Sequence, residues 1–260
     1  MTTTIYPARR VITMSPAVPF AEAVAVREGR VLGVGTLDEL AAWGPHSVDH
    51  TFADKVLTPG FIEAHTHVMS GGMWEFPYVG FFDRSDPDGN QWRGCKSVEA
   101  VLDRLAEHES LLEDASQPLV AWGLDPIYFP GDRLLATHLD QVSETRPIYV
   151  FHASAHLATV NTAMLEVSEI TEHSTTPGIA RNPDGTPNGE LQEPAAMSLA
   201  RSGGAKLAEA IISNEAKWNY AYEARNAGHT LVTDLGTTRV NDQSSLDAWR
   251  EVTSLSLIHI

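Results

Sequence analysis

The sequence predicts an α/β chain: buried strands alternating with helices, preceded by a region of short strands. Three observations predict it. Apolar runs of strand length end on polar or titratable residues at Val56–His67, Pro118–Gly123, Pro147–His152 and His229–Asp234. Helical patterns fall between them, over Ser97–Leu112 and Pro194–Ala227. Residues 5 to 57 instead read as short strands and turns. Unbroken apolar strands with a polar exit are what a parallel sheet covered on both faces requires.

Each element has its own signal. Ala21–Val26 and Arg30–Val34 form a hairpin through Arg27-Glu28-Gly29, with glycine at the permissive position. Thr36 and Glu39 have capping-box spacing, so Thr36–Ala42 starts a short helix. Val56–His67 is barrel strand one. Residues 69–95 are rich in Gly, Asp and aromatics without a clear period, and are expected to loop over the strand ends as a cover for the substrate pocket. Ser97 caps a helix whose Val98, Val101, Leu102 and Leu105 recur at helical spacing. Pro118–Gly123 and Pro147–His152 are strands, Phe129–Arg133 is a turn, and Thr137–Val142 is a short helix. Asn161 opens another helix, and Asn182-Pro183-Asp184-Gly185 is the turn of a hairpin within Thr175–Asn188. Pro194–Ala227 is helical, with a break expected at Gly203-Gly204. His229–Asp234 is a strand ending in a carboxylate, and a last helix starts at Ser245.

Composition sets limits. Hydrophobic residues make up 43% of 260 residues, enough for a substantial core. The 34 acidic and 18 basic residues give a net charge of −16, which argues against a nucleic-acid partner. The single cysteine, Cys95, excludes an intrachain disulfide framework and reads as a packed or surface thiol. Met1–Arg10 carries no signal-peptide core, and no run reaches the roughly 18 apolar residues a membrane span needs. The expectation is a cytoplasmic protein with no membrane partner, its oligomeric state left open.

The chemistry is most concentrated at His65 and His67. Strand side chains alternate faces, so these two imidazoles leave the end of strand one on the same side. Such a pair can hold one divalent metal, and imidazole nitrogen at about 2.0–2.1 Å suits zinc. The C-terminal end of barrel strands is also where barrel enzymes place their sites.

The run Leu57-Thr58-Pro59-Gly60-Phe61-Ile62-Glu63-Ala64-His65-Thr66-His67 resembles the first-strand signature of the amidohydrolase superfamily. Four later segments resemble one branch, the amidohydrolase family 3 group that includes the YtcJ-like proteins. They are Ala121–Asp125, His152–Asn161, Gly189–Glu193 and Ala227–Gly236. The resemblance implies a metal-dependent hydrolase on a (β/α) barrel with a small β-sandwich, acting on a small-molecule substrate. The bond would be a non-peptide C–N bond of an N-acyl, N-formyl or cyclic amide, attacked by metal-activated water. Besides His65 and His67, it points to Glu193 as a metal ligand or a carboxylate that orients the substrate, with one or two ions bound in the full-length protein. Glu193 equally reads as a helix N-terminal acid, followed by Pro194 at the first helical position. His156 matches the family histidine in the strand-exit His-x-Ala-x-Val-Asn pattern, as a substrate contact. Ser154-Ala155 replaces the Asp-Gly that often precedes it. Asp234 is expected to line the pocket, His152 is a weaker candidate, and Trp122 reads as core. Lys206 lies in a helix and is not expected to bridge metals.

The expected organisation is a sandwich segment at 1–57, an incomplete barrel with a lid insertion at 58–254, and a tail at 255–260. Leu255-Ser256-Leu257-Ile258-His259-Ile260 is one translation of CTG TCT CTT ATA CAC ATC, the end of a transposase adapter used in sequencing libraries. It therefore reads as adapter-derived, and His259 is no ligand candidate. An eight-unit barrel needs about 250 residues by itself, so the chain is expected to be an N-terminal fragment. The family's further ligands and its proton-transferring Asp would lie downstream. The alternative reading is a catalytically inactive fragment, or a barrel that binds without catalysis.

Overall fold

The computed structural model describes residues 2–114, 116–129, 131, 133–235 and 243–254. The tail expected at 255–260 lies outside them, as do Gly236 and parts of the Phe129–Arg133 turn. In chain order the elements begin with β1 (Thr3–Ser15), β2 (Val18–Arg27), β3 (Arg30–Gly35), α1 (Leu37–Ala41), β4 (His46–Val48), β5 (Val56–Leu57) and β6 (Phe61–Thr66). A 3-10 helix, Val68–Glu75, precedes β7 (Arg84–Ser85), β8 (Gln91–Trp92), α2 (Val98–Glu109) and β9 (Leu119–Leu124). Then come α3 (Ala136–Leu139), β10 (Ile148–His152), β11 (Leu157–Val160), α4 (Thr162–Val167), β12 (Ile179–Arg181) and β13 (Pro187–Gln192). The rest are α5 (Glu193–Met197), α6 (Arg201–Ile212), α7 (Asn214–Asn226), β14 (His229–Asp234) and α8 (Gln243–Ser254). The fold class is α/β.

The described residues form two compact units. One is built on residues 2–66 and 227–233, the other on 67–226, Asp234, Leu235 and 243–253.

In the first unit, β3-β2-β1-β4 form one sheet, with β5 also pairing with β1. The β2–β3 hairpin turns at Glu28 and Gly29, both at positive φ. Thr36 caps α1 through a complete capping box, and Ile5, Ala23, Ala25 and Leu40 form a small core beneath it. β6 pairs with β14 in a two-stranded sheet. The strand expected over Val56–His67 is interrupted at Thr58–Gly60, and it is not buried: Phe61 and Ile62 are 57% and 67% exposed. Among the described residues the sheet has only these two strands, which is too few to cover both faces.

The second unit is organised by the sheet β12-β13-β11-β10-β9. Only β9 and β10 run parallel; β10–β11, β11–β13 and β12–β13 are antiparallel. All six residues of β9 are buried, and alternation explains why. Leu119, Ala121, Ile148 and Val150 share a core with Val101, Leu105 and Leu139. Val120, Trp122 and Tyr149 face the opposite way, into a core with Met197, Leu207 and Ala210. Each fully buried Leu, Ile or Val contributes about 1.5–3 kcal/mol, so a strand covered on both faces has no polar position to spare.

Two expectations change in this unit. Gly203-Gly204 does not break the helix; α6 runs through it. A Cβ on Gly203 would sit 2.5 Å from Tyr149 Cβ, so this glycine lets the helix approach the sheet. The breaks fall at Ser198–Ala200 and Ser213 instead. Residues 69–95 are more ordered than a loop, holding the 3-10 helix and the β7–β8 ribbon.

Candidate functional site

β6 carries His65, and His67 follows directly after its last residue. His65 and His67 are both exposed and Thr66 between them is buried, the alternation expected of extended backbone. His65 N–H donates to Glu63 Oε1 at 3.0 Å. His67 remains extended at φ −127° and ψ 97°, and its carbonyl accepts from Ser70 N–H at 2.8 Å, opening the 3-10 helix. The residue types suit a divalent ion: two imidazoles at alternate positions of one extended segment, each exposed. Two is half the set of a tetrahedral site, and the described residues hold no group of three or more His, Cys, Asp or Glu placed for a metal.

A second constellation joins two predicted residues 37 positions apart. His156 Nδ1 lies 2.9 Å from Glu193 Oε2. The backbone is tied at the same point, with Glu193 N–H donating to His156 carbonyl O at 2.8 Å. β11 and β13 create this meeting, because their register pairs Leu157 with Gln192. Two non-glycine residues here hold positive φ, Ala155 at 61° and Glu193 itself at 65°. Such backbone costs about 1–3 kcal/mol per residue and persists only where the surroundings fix it. Ser154 Oγ accepts from His156 N–H at 3.2 Å, bracing the turn.

The remaining candidates separate into interior and strand-end residues. His152 is core: it is 2% exposed, its Nε2 lies 2.9 Å from Thr159 Oγ1, and its buried Nδ1 has no hydrogen-bond partner among the described residues. Burial lowers its pKa to about 4. Trp122 is core as expected, donating from Nε1 to Phe76 carbonyl O at 3.2 Å. Cys95 is buried, and burial raises its thiol pKa. Asp234 ends β14, half-buried.

Several family-like motif residues turn out to be architectural. Gly189 has φ +99°, and a Cβ there would meet Val160 carbonyl O at 2.4 Å. Asn161 is fully buried, and its side chain serves four backbone groups. Glu190 was not singled out from the sequence, yet it is buried beside His152. It accepts from Gln192 Nε2 at 2.7 Å and pairs with Arg133. Its only sequence signal is its place in Gly189–Glu193, next to the candidate carboxylate.

With this geometry in view, comparison with known proteins is informative. A model of the amidohydrolase family matches residues 53–257. The Arabidopsis thaliana protein LONG AFTER FAR-RED 3 is 28% identical over 230 residues, covering 87% of this chain and 37% of that protein. The N-substituted formamide deformylase of Arthrobacter pascens is 27% identical over 237 residues, covering 85% of this chain and 39% of the deformylase. In fold, the chain is similar to an uncharacterized metal-dependent hydrolase from Pyrococcus horikoshii OT3, with a TM-score of 0.55 and 16% identity over 99% of this chain and 47% of that one.

The chain belongs to the amidohydrolase family. It spans less than two fifths of the length of either curated relative. Among the described residues no helix is long and apolar enough to cross a membrane.

Proposed function

We propose that the protein is a metal-dependent amidohydrolase that cleaves a non-peptide C–N bond in a small amide-type substrate. The observation that carries this reading is the exposed His65/His67 pair flanking buried Thr66, within the segment the family model covers. His65 and His67 hold a divalent cation, zinc by their donor chemistry. When bound, the cation acidifies water and polarises the amide carbonyl. Glu193, with Oε2 on His156, keeps Oε1 as the atom it offers a cation or the substrate. His156 touches the substrate, and Asp234 is a carboxylate of the pocket. The similarity to an enzyme named as an N-substituted formamide deformylase favours N-formyl and N-acyl amines as the substrate class. In architecture, the parallel β9–β10 ladder belongs to a (β/α) barrel, and the sheet of β1 to β5 belongs to its accessory sandwich.

Elemental analysis of the purified protein tests the metal, and a panel of N-formyl and N-acyl amines tests the reaction. Zinc or a related ion is expected in the wild type and depleted in the His65→Ala/His67→Ala double variant. Both positions are exposed, so circular dichroism should be unchanged. Equal metal content in variant and wild type overturns the assignment of these ligands. A metal-loaded protein that hydrolyses no amide overturns the reaction.

A further inference from the structure

The strained His156–Glu193 contact specifies more than proximity, and the inference drawn from it deepens the proposed amidohydrolase reading. A neutral imidazole carries one proton, and the hydrogen bond made by one nitrogen decides the state of the other. An ionised carboxylate only accepts, so Glu193 Oε2 draws the proton to Nδ1. We infer that Glu193 is a positioning residue that locks His156 as the Nδ1–H tautomer, leaving Nε2 as an outward-facing acceptor for a substrate N–H.

The arrangement is built at backbone level. Free histidine favours the Nε2–H tautomer, and an exposed carboxylate on a mobile arm would override this only weakly. Here Glu193 cannot swing away with its main chain, because its N–H is committed to His156 carbonyl O at 2.8 Å. On the other side, Ala155 holds φ 61° and its N–H donates to His152 carbonyl O at 3.0 Å. The neighbouring carbonyl of Gln192 lies so close to Gly178 that a Cβ there would be 2.1 Å away. The partners are thus fixed from three directions, while both side chains stay about two-thirds exposed and open to a ligand.

The consequence concerns substrate class. With Nδ1 committed to Glu193, the nitrogen left for a ligand is Nε2, and in this tautomer it accepts. The group it recognises is the N–H of a secondary amide or formamide, and an N-methylated tertiary amide lacks the hydrogen to offer. Withdrawing a hydrogen bond from a site built to receive it commonly costs far more than removing a methylene.

The test begins with the protein as purified, without substrate. Two-dimensional 15N–1H spectra of histidine-labelled protein at pH 8 report the tautomer of each imidazole, and His156→Gln assigns its signal. The Nδ1–H pattern is expected in wild type and in Glu193→Gln, whose amide oxygen still accepts. The Nε2–H pattern is expected in Glu193→Ala. An Nε2–H pattern in wild type, or none of these changes in Glu193→Ala, overturns the inference. Kinetics form the second arm: Glu193→Ala should lower kcat/KM at least tenfold for a secondary amide, with Glu193→Gln recovering most of it. Equal turnover of a secondary amide and its N-methyl analogue overturns the N–H acceptor role. Absence of hydrolysis in every variant and substrate strikes the amidohydrolase reading instead, and leaves the tautomer result standing.

Discussion

Trp74 Nε1 donates to Glu223 Oε2 at 3.1 Å, tying the 3-10 helix to α7. The other carboxylate oxygen pairs with Arg84 on the β7–β8 ribbon. The Arg84 guanidinium lies 5.5 Å from the Trp74 ring centroid and 5.2 Å from that of Trp122. One acid therefore anchors two segments of the stretch read from sequence as a loop.

Removing that acid should loosen both segments. Glu223→Ala leaves a half-buried indole N–H and a guanidinium without their acceptor, at an expected cost of about 1–3 kcal/mol. Urea unfolding followed by tryptophan fluorescence should show a lower midpoint with an unchanged slope. Arg84→Met in the Glu223→Ala background should add less than it does alone, because the two share one interaction. Fully additive losses would show that the ion pair is incidental.

The adjacent glycines of α6 should respond in opposite directions to the same substitution. Gly204 faces open space, so Gly204→Ala should stabilise by about 0.5–1 kcal/mol through helix propensity. Gly203→Ala gains the same propensity but drives a methyl into Tyr149, with atoms at 2.5 and 2.7 Å. Overpacking of that kind costs about 1–3 kcal/mol, so the net change should be destabilising. Thermal melts of the two variants decide it; a shift in the same direction for both would mean the helix can slide away from the sheet.

Those glycines also mark where sequence stops being informative. Local chemistry was legible: the Ser97 and Asn161 caps, the Thr36 capping box and the turn at Asn182–Gly185 all depend on residues within four positions of each other. Strand β9 was legible because burial on both faces demands a continuous apolar run. Gly203-Gly204 was misleading because a glycine pair reads the same whether it ends a helix or lets one approach a sheet, and only Tyr149, 54 residues earlier, distinguishes the two. The His156–Glu193 meeting was hidden for a similar reason. Both residues stood out singly, but their pairing depends on the antiparallel register of β11 with β13, and β11 was not foreseen. The exposure of His65 and His67 around buried Thr66 follows from period, whereas the exposure of Phe61 and Ile62 does not, since an apolar run looks buried in one dimension.

Asn161 illustrates a motif residue whose work is structural. Its Oδ1 accepts from Ile148 N–H at 2.8 Å and Met164 N–H at 3.0 Å, and its Nδ2 donates to the carbonyls of Ser143 and Arg146, both at 2.9 Å. The side chain thus starts α4 and holds the entry to β10. Asn161→Ala strands four backbone groups in the interior, and each buried group without a partner costs about 1–3 kcal/mol. The expected loss is several kcal/mol, seen as little folded protein at 37 °C. Asn161→Asp keeps the two acceptor contacts but sets a carboxylate against two carbonyls, so it should rescue only in part. Full stability of Asn161→Ala would show that water replaces the amide.

His152 should give the protein an acid-sensitive stability. Burial is the main cause of its lowered pKa; the nearby charges of Glu190 and Asp125 push it up and that of Arg133 pushes it down. The folded value is about 4, against about 6.5 in an unfolded chain. Between those values the unfolded state binds a proton that the folded state refuses, so stability falls as pH drops from about 6.5 to about 4. Above this window neither state is protonated, and below it both are, so the effect is flat outside. The loss across the window is about 3 kcal/mol, or about 1 kcal/mol per pH unit near pH 5.5. Burial also lowers His108, and hydrogen bonds hold Asp49, Asp114 and Asp184 low, so other groups add slopes of their own. Those slopes are common to wild type and His152→Gln, whose neutral amide can still reach Thr159. The difference between the two unfolding free energies, measured from pH 7 to 4.5, isolates the histidine. Wild type should lose stability faster than the variant by about 1 kcal/mol per unit; parallel curves would mean that His152 takes up its proton in the folded interior as readily as in water.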